Sequence, residues 1–151
     1  MHSLVRRFIK TAIVFLFVGL ALGAWMLVRR EIYDVRPSTY ETSAHTHAIL
    51  VGFVMMMILG VAVWMFPRAQ KDDARYKPGW VRVAWWLITT GTAVRVAGEM
   101  ARLKVASGAL RWIIVASGIA QVLGIMTFFI AMWPRIRAAG SATREARGER
   151  F

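Results

Sequence analysis

The chain has 151 residues, no cysteine and three histidines, with 58% hydrophobic residues and a formal net charge of +12. A mean hydropathy of +0.50 is too high for a soluble domain of this size, in which about half of the residues are apolar. Disulfides, iron–sulfur clusters and thiolate metal sites are excluded. The positive charges lie between and beyond long apolar runs, so nucleic acid is not the expected partner.

Four apolar runs follow one another, at about 8–28, 46–66, 83–103 and 110–133. Each has about the 20 residues that cross a bilayer as a helix. Lipid offers no partner for backbone groups, so an all-α integral membrane four-helix bundle over residues 1–137 is the expected fold. The first run opens within "VRRFIK" and contains "ALGA", which would also suit a cleaved leader. It continues through Trp25 to Val28 and stops at Arg29 and Arg30, as a full span does. Gly19 and Gly23 form a GxxxG pair, a close-packing signal for membrane helices.

Charge sets the expected orientation. Three basic residues lie at the N-terminus (Arg6, Arg7, Lys10). Five lie in or beside the middle loop (Arg68, Lys71, Arg75, Lys77, Arg82), and five in the tail (Arg135, Arg137, Arg144, Arg147, Arg150). The other two loops carry six, so the positive-inside rule places both termini in the cytoplasm of a bacterial inner membrane. Residues 138–151 read as a basic, disordered tail that rests on anionic lipid. Trp25, Trp64, Trp80, Trp112 and Trp133 fall near span ends, like an aromatic belt.

The second span opens with "SAHTHAILVGFVMMMILGVAVWMF". His45 and His47 lie at its outer end and His2 at the inner face. A span of that length separates them by roughly 30 Å, so His2 cannot share a ligand with them within one chain. Residues two apart on an α-helix point about 200° away from each other. His45 then stands over Ala48, Gly52, Met56 and Gly60, a shallow groove. His47 stands over Leu50, Val51, Val54 and Ile58, a wall of branched side chains. A planar macrocycle laid on a helix needs such a groove, which makes His45, Gly52, Met56 and Gly60 the candidate cofactor face. The plain alternative is close helix contact at the glycines, with both histidines in the wet interface. The run Met55–Met57 points in three directions and reads as packing.

The residues His45, His47, Gly52, Phe53, Gly60 and Pro67 form an H-x-H-x-x-x-x-G-F pattern with a following Gly and Pro. This segment resembles the NnrS family of haem- and copper-containing membrane proteins. It also resembles the second helix of subunit I in cbb-type haem-copper oxidases. The resemblance implies that His45 is an axial ligand of a low-spin haem b near the periplasmic side. His47 inherits no role from the oxidases, whose matching position is commonly not histidine. The copper-site histidines and the second axial ligand of those enzymes have no counterpart here. No binuclear catalytic centre, nucleophile or acid–base constellation is visible, so catalysis is not the expectation.

The third span carries Arg95 and Glu99, four residues apart. They can pair with each other, and as charges in an apolar helix they are also candidates to face a cofactor. Arg95 could neutralise a haem propionate, with Arg36 and Arg111 as alternative partners. In the fourth span Gln121 is placed to hydrogen-bond between helices.

The leading expectation is a haem b-binding membrane protein for electron transfer or gas binding. Its haem would be shared across a two-fold homodimer by His45 of each chain. Besides the lipid bilayer, a quinol or a periplasmic electron carrier would be its partner. Two alternatives stand beside it: a copper- or zinc-binding membrane protein using His45 and His47, and a cofactor-free oxidase accessory or assembly subunit.

Overall fold

A computed structural model describes residues 3–66, 78–136 and 147–148. His2, Pro67, most of the middle loop and nearly all of the basic tail lie outside the described residues. The described residues are helical, with four long helices among them: α1 (Ser3–Tyr33), α2 (Thr39–Met65), α3 (Pro78–Ala101) and α4 (Gly108–Met132). A single 3-10 turn, Trp133–Arg135, follows α4. Three of them, α1, α2 and α4 with its terminal turn, are long and apolar enough to cross a membrane. The expected third span forms a helix too, but Trp85, Trp86, its threonines and the pair Arg95 and Glu99 lower its hydropathy below theirs.

The apolar surface points outward. Only 17%, 28% and 22% of the apolar stretches of α1, α2 and α4 is buried within the chain. Phe17, Leu20, Ile58, Val122 and Ile130 are all more than half exposed. Water does not tolerate apolar patches of that extent, whereas lipid does. Trp25, Trp64, Trp80, Trp112 and Trp133 are likewise exposed.

The helices pack in chain order, α1 on α2, α2 on α3 and α3 on α4. Close approach comes from small residues. A Cβ on Gly91 would lie 2.9 Å from the Ser117 carbonyl oxygen, and one on Gly124 would lie 2.7 Å from Ile88 Cγ1. This seals α3 to α4. At the end where α1 starts and α4 finishes, Phe8, Met56, Leu59, Ile88, Phe128 and Met132 form the main core, with Phe8 edge-on to Phe128 at 5.8 Å. At the other end, hereafter the histidine end, a smaller cluster joins Ala44, Ala48 and Val96 to Leu22 and Met100.

The turn between α1 and α2 is tied by polar groups. Asp34 takes a left-handed φ of 52°, and the Val35 N–H caps the Arg29 carbonyl at 3.0 Å. Ser38 and Glu41 form a capping box at the start of α2, and Arg29 pairs with the buried Glu41 carboxylate. Such a box satisfies two backbone donors that open a helix. Arg135 does the converse at the far end of α2, donating from Nη2 to the Phe66 carbonyl at 3.1 Å.

The middle of α2 is a π-helix, His47–Met55. Its i→i+5 bonds widen the turn, a conformation that is rare and mostly confined to single turns. It has a consequence for packing. Residues four apart on an α-helix overshoot a full turn by about 40°, while on the wider π turn they fall short of one. The two drifts oppose each other. Ala44, Ala48, Gly52, Met56 and Gly60 are therefore all buried in one file.

Candidate functional site

His45 and His47 sit where the α-turns of α2 pass into the π-turns. They face different neighbours, as their spacing predicts. His45 turns to α1, where its Nδ1 lies 2.9 Å from the Gly19 carbonyl oxygen. A carbonyl can only accept, so Nδ1 carries the proton and, in the neutral ring, Nε2 keeps its lone pair. The ring lies against Gly23, whose added Cβ would stand 3.0 Å from His45 Cε1. The GxxxG pair of α1 is thus the seat of this imidazole.

His47 turns to α3. Its Nδ1 donates to the Ser43 carbonyl at 2.8 Å and lies 3.3 Å from the Ser43 hydroxyl. That hydroxyl donates to Glu99 Oε1 at 2.7 Å. Glu99 Oε1 also accepts from Arg95 Nε at 3.1 Å. The Glu99 side chain is 4% exposed and that of Arg95 26%. Glu99 Oε2 is buried and has no hydrogen-bond partner among the described residues. Arg95 reaches over to α4, where a Cβ on Gly118 would come within 2.8 Å of Nη1. One turn below, Gln121 Nε2 donates to Thr92 Oγ1 at 3.0 Å, both residues being buried. Gln121 makes the interhelical bond its context predicts. Among the threonines of α3, Thr90 bonds back to its own helix, Thr92 takes the Gln121 bond, and Thr89 Oγ1 is buried without a partner among the described residues.

The file below His45 is not an open groove. A side chain on Gly52 would collide with Phe15, and one on Gly60 would lie 2.9 Å from Phe8 Cβ and 3.3 Å from Ile9 Cγ1. Helix α1 fills the face, and Met56 is fully buried in the core. Gly52, Met56 and Gly60 therefore serve helix contact. Arg95 and Glu99 join Ser43 of α2, which bonds to His47, whereas His45 packs against α1.

Tested against a haem, the parts divide. The donor nitrogen fits, because the Gly19 carbonyl orients the imidazole as a backbone carbonyl orients many metal-bound histidines. The Gly52–Gly60 face does not fit a macrocycle. Among the described residues no group of three or more His, Cys, Asp or Glu side chains converges to hold a bare metal ion. Ser43 escaped the sequence reading, although its place four residues before His47 is a signal for a bond along the helix. Glu41 escaped it too, although S-x-x-E at 38–41 is a helix-start signature.

No curated protein and no solved structure matches the chain. Residues 2–135 match the family model described as a domain of unknown function, DUF8744, and the chain belongs to that family.

Proposed function

We propose that the protein is a four-span bacterial inner-membrane protein with both termini in the cytoplasm. In this reading it holds haem b through His45 Nε2. The observation that carries the proposal is the 2.9 Å contact of His45 Nδ1 with the Gly19 carbonyl, which leaves Nε2 without a partner among the described residues. The resemblance of the segment around His45 to the second helix of cbb-type oxidase subunit I supports the same assignment. When bound, a histidine-ligated haem iron carries one electron or binds a small gas, according to whether its second axial position is filled.

The chain's own work is orientation. Gly19 accepts the Nδ1 proton and fixes the tautomer. Gly23 leaves room for the ring, and the α1–α2 contact holds it in place. In the proposed assembly, His45 of a second copy would help hold the same haem, one haem for two chains.

The test is an optical spectrum of protein purified from cells supplied with haem. The expected result is a Soret band with sharp α and β bands on reduction, lost in His45→Ala and retained in His47→Ala. A His45→Ala variant that keeps its spectrum overturns the proposal. A colourless protein with stoichiometric copper or zinc favours a metal-binding protein, and a colourless, metal-free one an accessory subunit.

A further inference from the structure

Ion pairs are unevenly placed in the molecule. Arg29 pairs with Glu41, Arg30 with Glu31 and Arg95 with Glu99. These three glutamates and Asp34 lie in the half nearer the histidine end, and no other carboxylate is among the described residues. At the opposite end, where α1 and α3 start, Arg7, Lys10 and Arg82 are exposed and form no ion pair among the described residues. Neither helix has an acidic residue in its first turn. The N-terminus is the positive pole of a helix dipole and favours negative charge beside it. Here two such poles are joined by three cations, so this end attracts an anion from outside the chain.

The cations border one seam. Arg7 Cζ stands 5.7 Å from the ring centroid of Trp85 on α3, and Trp85 Nε1 donates to Thr11 Oγ1 of α1 at 3.2 Å. Trp85 meets Trp86 edge-on, with ring centroids 4.6 Å apart. Lys10 follows Arg7 on α1, and Arg82 precedes Trp85 on α3, each at the three-residue spacing that makes helix neighbours. Towards the middle of the molecule the same surface turns apolar. Val14 is 60% exposed and Trp86 53%, and Val14 lies about 6 Å along the axis from Lys10. Cations above apolar side chains match a ligand with an anionic head and a hydrocarbon body. A soluble anion or a nucleic acid would engage the cations alone.

We propose that the α1–α3 seam at this end binds one anionic phospholipid. Arg7, Lys10 and Arg82 hold its phosphate, and its glycerol and first methylenes lie on Val14 and Trp86. Basic pockets between membrane helices bind anionic head groups in this way. The Arg7 guanidinium faces the Trp85 ring, which leaves its N–H donors free for phosphate oxygens. Discrimination follows net head-group charge. Phosphatidylcholine carries the same phosphate but adds a trimethylammonium group, which the three cations repel.

The experiment is native mass spectrometry of the full chain in detergent, titrated with phosphatidylglycerol and, separately, with phosphatidylcholine of the same acyl chains. Saturation at one phosphatidylglycerol per chain is expected, at least about 10-fold tighter than phosphatidylcholine. A cation near an anionic surface contributes about 1 kcal/mol, or about 5-fold. Arg7→Gln with Arg82→Gln should therefore weaken phosphatidylglycerol by about 30-fold and leave phosphatidylcholine unchanged. The control, Arg36→Gln with Arg111→Gln, removes the same charge from exposed arginines at the histidine end and should leave both lipids unchanged. A control that weakens phosphatidylglycerol as much as the seam variant shows diffuse attraction and overturns the proposal. Equal affinity of the wild-type protein for the two lipids, or uptake that does not saturate, overturns it without any variant. Should the double seam variant fail to fold, Lys10→Gln alone decides: a loss of about 5-fold supports the site, and no loss overturns it. The optical test of His45 is unaffected by any of these outcomes, so the two readings fail separately.

Discussion

Phe15 and Gly52 meet at a point where neither can grow. Gly52→Ala puts a Cβ into the Phe15 ring, and overpacking of this kind costs about 1–3 kcal/mol. The expected outcome is a lower melting temperature in detergent, recovered in the double variant Gly52→Ala/Phe15→Leu. Additive losses in the double variant would show that the two do not share that space. The Arg95–Glu99 pair makes a second residue-scale prediction. Arg95→Leu strands a carboxylate that is 4% exposed, and breaking a buried pair from one side costs about 3–5 kcal/mol. Replacing both, Arg95→Leu with Glu99→Leu, should restore most of that loss in the same melting measurement. His45 shows how a single hydrogen bond sets chemistry. Gly23→Ala crowds Cε1, 3.0 Å from the new carbon, and on the proposed haem assignment should lower haem retention more than it lowers helicity.

At the scale of elements, α2 carries the organisation of the molecule. Its start is held by Ser38 and Glu41, and its far end by Arg135. Ser38→Ala removes the hydroxyl that accepts from the Glu41 N–H at 3.2 Å. Loss of such a cap costs about 1 kcal/mol. Because Glu41 also meets Arg29, amide exchange should quicken at both Val35 and Glu41 in that variant, whereas quickening at α2 alone would separate the cap from the turn. The π-turns between His47 and Met55 link the two halves of the helix. They allow Ala44 and Gly60, sixteen positions apart, to face inward together. Deleting the exposed Leu50 would shift every residue before it by one position relative to those after it. Either His45 or Gly60 would then leave α1, and the variant should lose its cooperative thermal transition.

For the whole molecule, the lack of cysteine makes orientation directly measurable. Single cysteines at Val35 and Val105, both exposed loop positions, should react with a membrane-impermeant maleimide in intact spheroplasts. A cysteine at Gly148 should react only after lysis. Labelling of Gly148 from outside would reverse the proposed topology. The same experiment decides whether α3 spans with the others, since Val35 and Val105 lie on one side only if the chain crosses twice between them.

Much of this was legible in the chain itself. Apolar runs of about 20 residues dictate helices, because a backbone in lipid has no other way to satisfy its polar groups. The spacing of His45 and His47 was enough to send them to different faces: His45 meets α1, and His47 meets Ser43, which bonds to α3. The neighbour that each face receives was not legible. Gly52 and Gly60 mark a hollow in sequence, but a hollow suits a cofactor and a phenylalanine equally, and only packing put Phe15 and Phe8 there. The GxxxG of α1 read as a generic contact until the fold brought it against His45. Ser43, Glu99 and His47 are separated by up to 56 positions, so their hydrogen-bonded chain exists only once α2 and α3 are side by side. Periodicity depends on an element's own geometry and is written locally. A partner's identity depends on which surfaces meet, and that is settled in three dimensions.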